Sequence, residues 1–175
     1  MPPFFMPVII SMPFIQKIAG IFTVLLLYLC LCTTIPACAG ESPLAVGQTI
    51  YVPAYSHIYG GDKEQPFNLT VTLSLRNTDP DRPIRIMQVD YYDTEGHLIR
   101  RYTEKPHLLG PMASMRFVVS ESDREGGSGA NFLVIWGSDM PVNPPLVECI
   151  MIGTKMQQGI SFTSRGQVIL PHDSK

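Results

Sequence analysis

Residues 67 to 77 read FNLTVTLSLRN, and from Phe67 to Leu75 every second side chain is apolar. Leu69, Val71, Leu73 and Leu75 share one face, while Asn68, Thr70, Thr72, Ser74 and Arg76 share the other. Successive side chains of an extended chain point to opposite faces, so this period predicts a strand buried on one side of an antiparallel sheet. The next seven residues, Asn77-Thr78-Asp79-Pro80-Asp81-Arg82-Pro83, are turn formers whose side chains bond locally and whose prolines forbid a helix. A second strand follows in IRIMQVDYYD from Ile84. Its apolar phase moves from Ile84 and Ile86 to Val89 and Tyr91, a one-residue slip that predicts a β-bulge near Met87. Asp93-Thr94-Glu95-Gly96 closes a tight turn, and HLIRRY from His97 returns as the partner of a hairpin.

Outward from there the same grammar continues. Leu109-Gly110-Pro111 is a turn, and Met115, Phe117 and Val119 alternate with polar neighbours and Val118. NFLVIW, from Asn131 to Trp136, and LVECIMIG, from Leu146, are apolar on both faces and belong inside a sheet. QGISFTS and GQVIL end the chain as further strands. No segment after Gly40 carries a 3.6-residue period with caps. About eight short strands with Pro and Gly turns predict an all-β fold: an antiparallel β-sandwich, immunoglobulin-like, with a barrel as the alternative.

The N-terminal part has a different composition. One cation, Lys17, precedes the apolar run IAGIFTVLLLYLCL from Ile18 to Leu31, and Thr33-Thr34-Ile35-Pro36 follows it. This is the order of a secretory signal helix, and the run is shorter than the roughly 20 residues that span a bilayer. Two processing routes overlap at Ala37-Cys38-Ala39-Gly40. Cleavage after Ala39 releases a chain beginning at Gly40, which Pro36 favours; cleavage before Cys38 leaves a cysteine for lipidation and an anchored lipoprotein. The expected division is a signal peptide over 1–39, a linker over 40–46, the β domain over 47–170 and a tail over 171–175. The protein is therefore expected to be exported, periplasmic or secreted, with membrane attachment only through the signal or a lipid on Cys38.

Of the 13 Lys and Arg only Lys17 lies before Gly40, and all 15 Asp and Glu lie after it, which leaves the mature part at 12 minus 15, or minus 3. Without a clustered positive excess to neutralise phosphates, nucleic acid is excluded as a partner class. Cys149, in its apolar run, reads as a small buried hydrophobe.

The segments YVPAYSHIYGG, FNLTVTLSLRNTDPDRPI, VDYYDTEGHLI, SGANFLVIW, PVNPPLVECIMIG and QGISFTSRGQVI follow one another between about Gly47 and Ile169. Together they resemble a bacterial family known only as domain of unknown function 3124. The resemblance implies an exported protein and supplies no activity, cofactor or catalytic residue to carry over. The run from LSLRNTDPDRPI to LGPMASMRF is also similar to bacterial sandwich modules in which a strand ends at Asp-x-x-Gly and the next follows a Gly-Pro turn, a likeness that bears on fold alone.

Several constellations are candidates for chemistry. Gly126, Gly127 and Gly129, with Asn131, form a Gly-rich loop that reads as a tight turn or as a ligand-facing loop; neither phosphate-loop spacing fits. Its neighbours Glu121, Asp123 and Glu125 suit a cation or a sugar better than an anion. Tyr55, His57 and Tyr59, with Tyr51 on the same beat in IYVPAYSHIYGG, offer aromatic faces for a sugar or peptide, or the segment packs its tyrosines on the sandwich as an irregular edge strand. His107, Met112 and Met115 bring an imidazole and two thioethers near one turn, a soft set suited to Cu(I), although Met115 falls on an inward phase. Asp79 with Asp81, and Asp90 with Asp93 and Glu95, gather oxygen as calcium sites do and as turns do. Ser56, His57 and an Asp form a triad on paper only, without a nucleophile elbow. The reading that follows is a non-catalytic binding or structural module with no cofactor, meeting an envelope protein or glycan. The alternative is a metal-binding protein or hydrolase built on His57, His107 and the Gly126 to Asn131 loop.

Overall fold

The structure is a computed structural model and describes residues 43–155 and 158–172; the segment read above as a signal, with Cys38, lies outside the described residues. Twelve strands and no helix occur among them: β1 (Ala45–Pro53), β2 (His57–Gly60), β3 (Gln65–Asn68), β4 (Thr70–Arg76), β5 (Ile84–Tyr92), β6 (Leu98–Arg101), β7 (His107–Leu109), β8 (Ser114–Val119), β9 (Asn131–Val142), β10 (Leu146–Lys155), β11 (Gln158–Arg165) and β12 (Gln167–Pro171). Every pairing is antiparallel. The first sheet runs β12-β1-β9-β5-β6, with β7 on the other half of β5; the second runs β11-β10-β4-β8; β2 and β3 form a separate ribbon.

The apolar alternation decides which face is inward. Val71, Leu73 and Leu75 of β4 and Val147, Cys149 and Met151 of β10 are buried from one side, Ile50 and Val52 of β1 and Phe132, Val134 and Trp136 of β9 from the other, and all join one core. Fully burying a side chain of this size contributes about 1.5–3 kcal/mol, so the shared core holds the two sheets together. The bulge falls where the phase slips: the β5–β9 register shifts between Ile86 and Gln88. Met87 is turned outward, and Ile84, Ile86, Val89 and Tyr91 all stay inward. As expected from their two-sided apolar character, β9 and β10 lie inside their sheets.

Three expectations need correction. Twelve strands replace about eight, because β1, the β2–β3 ribbon and three-residue β7 add to those that alternation marks. The strand expected over 67–77 is two strands divided at Leu69, whose amide bonds to the Ser56 carbonyl (2.9 Å) as the chain leaves the ribbon for the second sheet. That crossing runs close over β10, where a Cβ on Gly153 would stand 2.6 Å from the Asn68 carbonyl oxygen. Lastly, the segment around Tyr51 is not an edge, since β12 covers the outer side of β1.

Candidate functional site

The registers fix two ends. The described chain enters where β1, β5, β8 and β10 begin and β4, β9, β11 and β12 finish, and this end carries the 77–83 and 110–113 turns. The opposite, far end collects the β2–β3 ribbon, the Asp93–Gly96 turn and the loop from Ser120 to Ala130. Every ligand-type candidate except the His107–Met115 set and the Asp79–Asp81 pair is at the far end.

The loop is pinned from three directions. Ala54 donates its amide to the Ala130 carbonyl (2.9 Å) and Ser56 to the Gly127 carbonyl (3.0 Å), which ties the loop to the exit of β1. Thr94 of the β5–β6 turn donates its hydroxyl to the Gly126 carbonyl (3.1 Å) and accepts from the Gly129 amide (3.1 Å). Beneath lies Tyr91, fully buried, its ring 4.7 Å from Phe132 and its hydroxyl 2.9 Å from Ser56 Oγ. Burial pushes the Tyr91 phenol above its ordinary range, and the Ser56 bond opposes this only in part. The glycines serve this closeness. A Cβ on Gly126 would overlap the Tyr91 hydroxyl, one on Gly127 would overlap Thr94 Oγ1, and Gly127 has φ 74°. With the amide of Gly127 spent on the Arg124 carbonyl and that of Gly129 on Thr94 Oγ1, the loop is a packed turn and not an anion cradle.

The ribbon presents what the loop does not. His57 Nε2 lies 3.1 Å from the Tyr59 hydroxyl, the two rings meeting edge to face, and the buried Nδ1 has no partner among the described residues. Tyr59 is 57% exposed. Tyr55 does the opposite job: half-buried, it packs edge-on against Phe162 at 5.7 Å. Asn131 sits in β9 between Pro53 and Tyr92. Beside the ribbon an open hollow of about 600 Å³ is lined by Asn68, Glu121, Ser122 and Arg124. With its amide oxygen turned toward Arg124, Asn68 accepts from both Nε (3.1 Å) and Nη2 (2.8 Å) and so holds the guanidinium at the rim. Asn68 and Arg124 are the residues that sequence reasoning missed: Asn68 read as the polar side of a strand, and Arg124 as one charge in a loop.

The remaining candidates are placed otherwise. Ser56 Oγ is buried against Tyr91 and not on His57, so the paper triad does not assemble. His107 is exposed on β7 of the first sheet, Met112 is exposed in the 110–113 turn, and Met115 packs from β8 of the second sheet against the core. No group of three or more His, Cys, Asp or Glu fit to hold a metal occurs among the described residues. Asp79 accepts the amides of Asp81, Arg82 and Asn143, which hold its carboxyl below the usual range, that of Asn143 contributing most. Asn77 beside it donates to the carbonyls of Arg82, Leu109 and Gly110. These oxygens are committed to the turn. Asp90 is fully buried: desolvation pushes its carboxyl up, but the two-pronged bond from Arg101 (2.9 and 3.0 Å) with that from Gln88 holds it lower on balance. Cys149 is buried in β10, and burial, with Glu148 adding, pushes its thiol far up.

The family model described as Protein of unknown function (DUF3124) matches residues 47–169, from β1 to β12. The chain belongs to this family. The DUF3124 match therefore includes the whole far end, ribbon and loop alike, together with the entry-end turns. No curated protein matches the chain. Among solved structures, the crystal structure of Thermotoga maritima 1070 is similar with a TM-score of 0.44 at 10% identity, over 71% of this chain and 97% of that one.

Proposed function

We propose that this DUF3124 protein is an exported, non-catalytic binding module of the bacterial envelope, a β-sandwich that meets its partner, an envelope protein or glycan, with its far end. The observation that carries the reading is the division of labour there. The loop and the Asp93–Gly96 turn are locked to the core through Tyr91, Ser56 and Thr94, while the ribbon and hollow beside them hold Tyr59 and Arg124 toward solvent, with His57 and Asn68 half-buried behind them. A rigid base under a few exposed aromatic and polar groups is what a recognition surface requires, because little ordering entropy is then lost on binding. The charge of this end narrows the partner. Residues 57–68, 93–97 and 120–130 carry seven carboxylates against Lys63 and Arg124, a net of minus 5. Such a surface fits a sugar or a basic protein segment and disfavours an acidic one.

A photo-crosslinking amino acid at Tyr59 in the living cell tests this. Adducts with one protein or glycan species are expected from Tyr59, and none from the same group at the outward Met87. Equal labelling from both positions, or adducts at Met87 alone, refutes the far end as the recognition surface.

A further inference from the structure

The entry end has an apolar character that the core does not explain. Leu44, Leu108, Met112, Met140 and Leu170 are each more than half exposed, and all lie toward the end where the described chain begins. Met112 is the most telling. It is 68% exposed and has φ 55° in the turn closed by the Ala113 amide on the Gly110 carbonyl. A left-handed backbone costs a non-glycine residue about 1 kcal/mol, so glycine or asparagine is the ordinary choice there. A flexible thioether held in solvent at that cost contributes nothing to the packing of this fold. The charge distribution has the same polarity. Residues 76–85, 107–113 and 138–146 hold three Arg and three Asp, for a net of zero, against minus 5 at the far end.

We propose that the entry end is a lipid-contact face: Leu44, Met112 and Met140 rest in the headgroup layer of the membrane to which the chain's own N-terminal part is attached. This rests on the exported module proposed above, in the form that keeps a lipid on Cys38. The occupant follows from where the described chain begins. Both membrane-attaching features, the apolar run Ile18–Leu31 and Cys38, precede Pro43. Leu44 lies six positions beyond Cys38, a span that at full extension reaches about 20 Å, so a lipid on Cys38 keeps the entry end at the bilayer. The neutral end then faces an anionic surface that repels the acidic far end, and the recognition surface points away from the membrane.

The test uses the full mature chain reconstituted into vesicles of phosphatidylethanolamine and phosphatidylglycerol, with and without brominated phospholipid. Single variants Met112→Trp, Met140→Trp and, at the far end, Leu98→Trp are compared with the unsubstituted chain, whose one tryptophan, Trp136, is buried and sets the baseline. Side chains lodged ~5–10 Å into the headgroup and acyl boundary are expected to lose about half of the added emission to bromine at Met112→Trp and Met140→Trp, and Leu98→Trp none. Vesicle-bound chain with no quenching at either methionine position overturns the inference while leaving the anchor intact. Blue-shifted emission without quenching identifies a second copy as the occupant and overturns it too. A chain that stays in the supernatant refutes the anchored form, and the inference falls with it.

Discussion

Gly126 stands over the hydroxyl of a tyrosine that has nowhere to go. Tyr91 is fully buried, stacked on Phe132 and bonded to Ser56, so a methyl group added at residue 126 meets a ring that cannot turn aside. Besides overlapping that hydroxyl, the new Cβ would stand 2.6 Å from Tyr91 Cζ and 2.8 Å from the Cβ of Ala130. Gly126 does not have a left-handed backbone, so the cost of Gly126→Ala is overpacking alone, about 2–3 kcal/mol. For a domain of this size that lowers Tm by roughly 6–12 °C. Tyr91→Phe removes the overlapping oxygen but strands Ser56 Oγ, at about 1–1.5 kcal/mol. In the phenylalanine background Gly126→Ala is therefore expected to cost about 1 kcal/mol less, because only the carbon contacts remain. Urea unfolding of the four proteins reads each term from the midpoint at constant slope. A Gly126→Ala protein within about 0.5 kcal/mol of the parent, or an equal cost in both backgrounds, refutes the packed-turn account and restores the ligand-facing loop.

Other consequences are simpler to measure. Asn77→Ala leaves the carbonyls of Arg82, Leu109 and Gly110 without their donor, so a loss of about 2–3 kcal/mol is expected by urea unfolding, with the strands unchanged in far-ultraviolet circular dichroism. Asp79, Asp90 and Asp93 all have carboxyls held below the ordinary 3.8 in the folded state. Their stabilisation is full above that value and is lost as pH falls through the lower folded values, so the urea midpoint should be level from neutral pH to about 5 and fall below about 4. Removing Arg101 strands a buried carboxylate, whereas removing Asp90 leaves a half-exposed guanidinium in water. Arg101→Ala should thus unfold at a lower urea concentration than Asp90→Ala, and the reverse order would contradict the burial argument. Cys149 should react with a thiol reagent no faster than the domain unfolds, which labelling against urea concentration tests.

Most of the fold was legible because alternation is a local signal. The inward sets of β4 and β9, the interior places of β9 and β10, and the bulge at Met87 all follow from side-chain phase within a few residues. What was not legible depends on residues far apart in the chain. β12 reads as a strand, but nothing in QVILP says that it pairs with β1, more than a hundred residues earlier, and turns a presumed edge into an interior strand. The break at Leu69 lies inside a perfect alternation, since the cause is a hydrogen bond to Ser56 and not a change of residue type. The candidate site divides the same way. The three glycines were visible, but their purpose is the proximity of Tyr91 and Thr94, which no spacing encodes. Tyr59 was visible as an aromatic, whereas the Asn68–Arg124 contact across the hollow was not, because its partners lie on a ribbon and a loop that only the fold brings together.

The claim on which the rest depends is that this domain works outside the cytoplasm, and the intact mass of the mature chain from its native host tests it most directly. The account predicts loss of the leader: a chain starting at Gly40, or one starting at Cys38 with an added diacyl or triacyl mass, the latter being the product that the lipid-contact face requires. A mature chain that keeps the apolar run Ile18–Leu31 contradicts it.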